Sequence, residues 1–168
     1  ITSSHDAYET LAHTAQMIAE RMNVNACSIY VYDSANDSLT LKATFGLNPS
    51  AVDNVTMTPS EGLVGLVLQL SEAVQVAEMR RHPRYKHFPQ INEDIYSSFL
   101  GVPLVEHRKP FGVLVVHTIE CRNFTEEEEH VLITIASQIT GLISKALLIN
   151  KLDQSTEKVS GEKKDQLY

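Results

Sequence analysis

Two strongly apolar runs, residues 99–105 and 111–116, flank the polar link Glu106-His107-Arg108-Lys109-Pro110. Neither run alternates polar with apolar positions, which predicts a β-hairpin covered on both faces and lying in the middle of a sheet. Pro103 has no amide hydrogen, so a local break in the ladder is expected at that position.

Other segments are arranged around this hairpin. Asp6 can cap a helix, Glu9 sits three residues on, and Tyr8, Leu11, Ala12, Ala15, Ile18, Ala19 and Met22 follow at helical spacing. Residues 27–32 are rich in strand formers, 33–38 are turn residues, and Leu39, Leu41 and Ala43 then alternate with Thr40, Lys42 and Thr44, which predicts a second hairpin. A short extended piece at 55–57 leads to Thr58-Pro59-Ser60-Glu61, which has the form of a capping box and predicts a short helix carrying Leu63, Val64, Val67 and Leu70. A strand at 73–77 follows.

From 78 to 96 the periodicity disappears in EMRRHPRYKHFPQINEDIY, which holds four Lys or Arg and two prolines. An irregular run of this length inside a compact domain reads as a lid or binding loop. Thr125-Glu126-Glu127-Glu128 is a second capping box, opening a helix whose apolar stripe runs from Val131 to Leu147 and onward to about residue 150. That helix exceeds what the core needs, which points to an overhanging end, a helix–helix dimer seam or a rod into a following domain. Residues 1–150 therefore form the domain, and 151–168, polar and charged, read as a mobile linker to a further domain. The missing initiator Met and the charged end suggest a piece of a longer protein.

Composition narrows the function. At 168 residues, with 43% hydrophobic and 21% charged, the chain is one globular domain with a core of its own. A net charge of -7 argues against nucleic acid, which needs a broad positive face. No unbroken apolar run approaches the roughly 20 residues that span a bilayer, so no membrane partner is expected. Cys27 and Cys121 have no metal-ligand spacing, fit a reducing cytoplasm, and read as small hydrophobes.

Catalytic motifs are missing: the seven His occur in no HExxH, and there is no CxxC, GxSxG elbow or glycine-rich phosphate cradle. His82 and His87 lack further ligands at suitable spacing, so no metal site is predicted. Arg80, Arg81, Arg84 and Lys86 cluster in the lid with Tyr85 and Phe88 interleaved. Forked guanidinium contacts from Arg81 and Arg84 would suit a small ligand carrying a carboxylate, against the alternative of ordinary solvated loop charge.

EGLVGLVLQ at 61–69, FLGVPL at 99–104 and FGVLVVH at 111–117 followed by FTEEE together resemble the GAF domain, a small-molecule-sensing module, over residues 6 to about 150. More closely, SSFLGVPLVEHRKPFGVLVVH resembles the N-terminal GAF domain of the nitrogen-branch phosphoenolpyruvate-protein phosphotransferases. The resemblance implies an α+β, GAF-like (profilin/PAS-like) fold: an antiparallel sheet of about six strands in an order near 3-2-1-6-5-4. It places the first and last helices on one face, and a ligand pocket with its lid on the other. Strand alternation then turns Cys27, Ile29 and Val31 toward the helices and Ser28, Tyr30 and Tyr32 toward the pocket. Tyr96, Ser98 and His117 are expected to join Arg81, Arg84, Tyr85 and Phe88 around the ligand.

The same resemblance implies a cytoplasmic regulatory domain that senses a nitrogen metabolite, glutamine or 2-oxoglutarate, and is a homodimer. Catalysis would lie in the phosphotransfer domains of the parent chain, with Mg2+, phosphoenolpyruvate and a phosphocarrier protein, and this segment would carry no cofactor. A bilin needs a pocket cysteine, and none lies between Cys27 and Cys121. The Asn-Lys, Phe and Asp-Glu pattern of cyclic-nucleotide binders is incomplete, with Phe88 followed by Asn92-Glu93 and no upstream pair. A dimerisation scaffold without ligand is the alternative, and a redox enzyme would need paired lid cysteines.

Overall fold

The computed structural model describes residues 4–166. In chain order it comprises α1 (Ser4–Met22), β1 (Ala26–Asp33), β2 (Ser38–Phe45), β3 (Thr56–Met57) and α2 (Gly62–Leu70), followed by β4 (Val74–Val76), β5 (Ser98–Glu106), β6 (Lys109–Thr118) and α3 (Glu126–Gln166). All strand pairs are antiparallel, and the six strands are ordered β3-β2-β1-β6-β5-β4, as expected of a GAF-like sheet.

α1 is already helical at Ser4, so Asp6 sits in its first turn, where the helix dipole favours a carboxylate, rather than before it. Its far end is a Schellman turn: Asn23 adopts φ 54°, its amide donates to Glu20 O, and the Val24 amide donates to Ala19 O. The sheet is buried on both faces. Leu11, Ala15 and Ile18 of α1, with Leu132, Ala136 and Ile143 of α3, cover Cys27, Ile29, Leu114 and Val116. On the other face α2, the loop after β2 and the lid cover Tyr30, Leu39, Leu41, Val113 and Val115. Double coverage explains why the central hairpin is apolar without alternation.

Three local expectations are revised. The β5–β6 turn is tighter than the polar link suggested: Glu106 pairs with Lys109, and His107 and Arg108, at φ 52° and 65°, form a two-residue turn of the type I′ sense. Pro103 stays in register opposite Val113, and the break falls one step later, between Leu104 and Val105. The proline is tolerated because β4 stops pairing at Gly101, leaving β5 a free edge beyond it. Thr58 does not cap α2, which starts at Gly62 with Glu61 before it. Thr58 Oγ1 contacts Ser60 Oγ at 2.9 Å instead, and only the return half of the box survives, the Thr58 amide donating to Glu61 at 3.2 Å.

β2 also departs from simple alternation. Ile29 pairs with Ala43 but Tyr30 with Leu41, so Lys42 is an extra residue. This bulge places Leu39 and Leu41 on the lid face and Ala43 on the helix face.

At Thr125 the capping box is complete: its hydroxyl accepts from the Glu128 amide at 3.1 Å, and Glu128 accepts from the Thr125 amide at 3.1 Å. α3 runs unbroken past residue 150 to Gln166, so the backbone of 151–166 is helical where the polar composition predicted an irregular linker; 167–168 lie outside the described residues. Glu, Lys and Gln are good helix formers, and extending an existing helix needs no new nucleus. Residues 126–149 are long and apolar enough, by length and composition, to cross a bilayer. One side of that stretch nonetheless buries Leu132, Ala136 and Ile143 against the sheet and α1.

Candidate functional site

The lid, residues 78–96, is held as two short 3-10 turns, Met79–Arg81 and Pro89–Ile91, joined by irregular backbone. Its ends are anchored. The Met79 amide donates to Ser97 O at 2.8 Å, the Asn48 amide to Ile91 O at 3.0 Å, and Tyr96 Oη to Gly46 O at 2.5 Å. Gly46 has φ 100°, and a Cβ there would meet Asn25 O and Ala26 Cβ at 2.7 Å, so only glycine presents that carbonyl to Tyr96.

Beneath the lid lies a cavity of about 20 Å³, enough for one water molecule. Tyr30 and Phe99 form its sheet side, Leu63 and Val64 of α2 one wall, and Tyr85, Lys86, Phe88, Ile91 and Glu93 the lid side. Tyr30 and Tyr85 keep their protons more firmly than usual, because burial, reinforced by the nearby Glu93 carboxylate, opposes a phenolate. Both therefore act as neutral hydroxyls.

Of the residues singled out from sequence, Tyr30, Tyr85 and Phe88 line this cavity. His117 and Tyr96 stand just behind it, ring centroids 5.5 Å apart, with Phe99 edge-on to the imidazole at 5.7 Å. The others are elsewhere. Ser28 is on the correct face, but its hydroxyl is engaged with Thr44 Oγ1 at 2.8 Å. Tyr32 is at the far end of β1, donating to Asp37 at 2.7 Å in the hairpin turn. Ser98 has the opposite strand parity from Phe99; its hydroxyl donates to Ala77 O at 2.6 Å and accepts from the Arg122 amide at 2.9 Å, joining β5 to the segment before α3.

The two arginines expected to hold a carboxylate do not reach the cavity. Arg81 is exposed and paired with Glu78 at 2.7 Å within one turn. Arg84 clamps the lid to α2, donating to Gln69 at 2.9 Å, to Pro59 O at 3.2 Å and to Gly62 O at 3.4 Å. Their clustering in sequence did not place them in space, because the 3-10 turn points Arg81 outward and α2 captures Arg84.

Glu93 is the residue that sequence reasoning passed over. Its side chain is only 10% exposed, and its carboxylate faces His117 Nε2 at 3.6 Å. Among the described residues, neither nitrogen of His117 has a hydrogen-bond partner. The available signal was an acidic residue embedded in the aromatic lid, noticed only as part of an incomplete nucleotide pattern.

The GAF domain family model matches residues 6–143. A phosphoenolpyruvate-dependent phosphotransferase system protein of Escherichia coli K12 is 38% identical over 127 residues, 76% of this chain and 17% of that protein. Among solved structures, the GAF domain of an Acinetobacter phosphoenolpyruvate-protein phosphotransferase is 39% identical, with TM-score 0.75 over 89% of this chain and 87% of that one. The corresponding domain from Coxiella burnetii is 33% identical, with TM-score 0.78 over 84% of each. The chain spans 17% of the length of the Escherichia coli protein and of its Salmonella typhimurium counterpart. A six-stranded sheet in this order, helices on one face, a lidded cavity on the other and these relatives lead to one conclusion: the chain belongs to the GAF domain family, in likeness to the GAF domains of phosphoenolpyruvate-protein phosphotransferases.

Proposed function

We propose that this chain is the small-molecule-sensing regulatory domain of a cytoplasmic phosphoenolpyruvate-protein phosphotransferase, modulating phosphotransfer in response to a nitrogen metabolite. The observation that carries this reading is the cavity under residues 78–96, closed by an irregular lid and lined by neutral tyrosines and a buried carboxylate. In this reading the lid opens further to admit glutamine or 2-oxoglutarate, since the cavity of about 20 Å³ has room for about one water. Ligand capture biases α3, which leaves the sheet and leads toward the phosphotransfer domains, where Mg2+, phosphoenolpyruvate and the phosphocarrier act. A coupling of roughly 1 to 3 kcal/mol suffices for such control.

Calorimetry of the chain against glutamine and 2-oxoglutarate, up to millimolar concentration, tests it. Saturable heat with either compound supports sensing; silence with both on a folded sample overturns it.

A second reading, a dimerisation scaffold, is favoured by one observation. Val131, Leu142 and Leu152 are 41%, 38% and 58% exposed and, with half-buried Ile135 and Ile149, recur at heptad spacing along α3. Sedimentation equilibrium would detect the dimer, and Leu142→Asp should shift it to monomer. A wild-type monomer at high micromolar concentration would remove this reading.

A further inference from the structure

Glu93 presents its carboxylate from the lid side of an aromatic cavity, and among the described residues no hydrogen bond reaches that carboxylate, the nearest charged partner being His117 Nε2 at 3.6 Å. Burying a charge in this way is unfavourable unless something pairs with it. His117, the nearest group able to carry positive charge, stands at 3.6 Å with both ring nitrogens unpartnered. Tyr30, Tyr85, Phe88 and Phe99 surround the same space, and aromatic faces attract cations. A ligand carboxylate placed here would meet a like charge; neither Arg81 nor Arg84 lines the cavity, and Lys86, the cation that does, is already paired with Glu61 at 3.2 Å and stacked over the Phe88 ring.

We infer that the cavity selects a small ligand through a primary ammonium group, with Glu93 as its counter-charge and the aromatic rings as its walls. The inference rests on the sensing reading above and reverses the polarity that the lid arginines suggested. An ammonium has three N–H donors, which satisfy both carboxylate oxygens and leave one for a tyrosine hydroxyl. Because Glu93, Tyr85 and Phe88 all belong to the lid, closing the lid over the ligand brings the counter-charge to it.

Two matched pairs of probes differ only in ammonium against oxo: L-glutamine with 2-oxoglutaramate, and L-glutamate with 2-oxoglutarate. Calorimetry of the chain should find the ammonium member of a pair bound about 10- to 100-fold more tightly, the scale of a charge-assisted hydrogen bond. Glu93→Gln should shrink that preference to about threefold or less, while raising the melting temperature of the ligand-free chain, since a buried charge that no hydrogen bond satisfies is removed. Equal or tighter binding of an oxo member, or a preference that survives Glu93→Gln, overturns the ammonium inference and leaves sensing intact. A lower melting temperature for Glu93→Gln makes Glu93 structural and also overturns it. Silence with all four probes overturns the inference together with the sensing reading.

Discussion

The two faces of the sheet solve the same burial problem with different chemistry. On the helix face Cys27, Ile29, Leu114 and Val116 meet Leu11, Ala15, Leu132 and Ala136, with no polar side chain among them. On the lid face Tyr30, Val113 and Val115 share their interior with Glu93 and His117, whose polar atoms are left without hydrogen bonds to each other. The first face is stabilised by volume and close packing. The second keeps a carboxylate and an imidazole in ion-pair contact without a hydrogen bond between them, a local compromise of stability.

The largest test of that contrast is a pair of substitutions on neighbouring strands. Leu114→Ala, on the helix face, should destabilise by about 2–5 kcal/mol through a cavity, read from the midpoint of urea unfolding. Tyr30→Phe, on the lid face, should change stability by about 1 kcal/mol or less, because among the described residues its hydroxyl makes no hydrogen bond. Equal losses at the two positions would erase the distinction between a packing face and a site face.

Next in size is the lid clamp. Removing the Arg84 guanidinium in Arg84→Ala leaves the Pro59 and Gly62 carbonyls without this donor and should cost about 1–3 kcal/mol. Hydrogen exchange should quicken at amides of 85–96 and stay unchanged in β1 and β6. Uniform quickening would mean that the lid is not a separate unit.

The two capping sequences provide a smaller comparison. Thr125→Ala removes a formed cap and should cost about 1 kcal/mol, while Thr58→Ala, which caps nothing, should cost a few tenths, roughly. Thermal melts of both variants settle the order.

The smallest effect is a pH dependence on the helix side. Partial burial tends to raise the Glu128 pKa, but the Thr125 amide and the Arg122 guanidinium outweigh it and hold the carboxyl below its usual value. A depressed folded pKa means that the contribution is present above the unfolded value and lost as pH falls through the folded one. Glu128→Gln should therefore narrow the stability difference between neutral and acidic pH, and an unchanged acid limb would discount the Arg122–Glu128 pair.

Strand and helix identity, the central place of the 99–116 hairpin and the double coverage of its strands were legible along the chain, because each follows from local periodicity and apolar density. The family likeness was carried by three short motifs in order. What sequence alone could not place was every feature that depends on who lies opposite. The complete box at Thr125 and the incomplete one at Thr58 have the same pattern, and they differ because α3 begins directly after Thr125 whereas α2 begins only at Gly62, leaving Thr58 outside the helix it would cap. The Lys42 bulge, which sends Leu41 and Ala43 to different faces, arises only from pairing with β1. Arg81 and Arg84 looked like the ligand's partners, but the lid backbone turns them away and turns Glu93 in. Sequence by itself determined the periodic elements and the sheet they can build, since hydrophobic spacing acts over a few residues. Tertiary structure decided which polar side chains face the cavity, since that direction is set by bulges, turns and contacts between residues far apart in the chain.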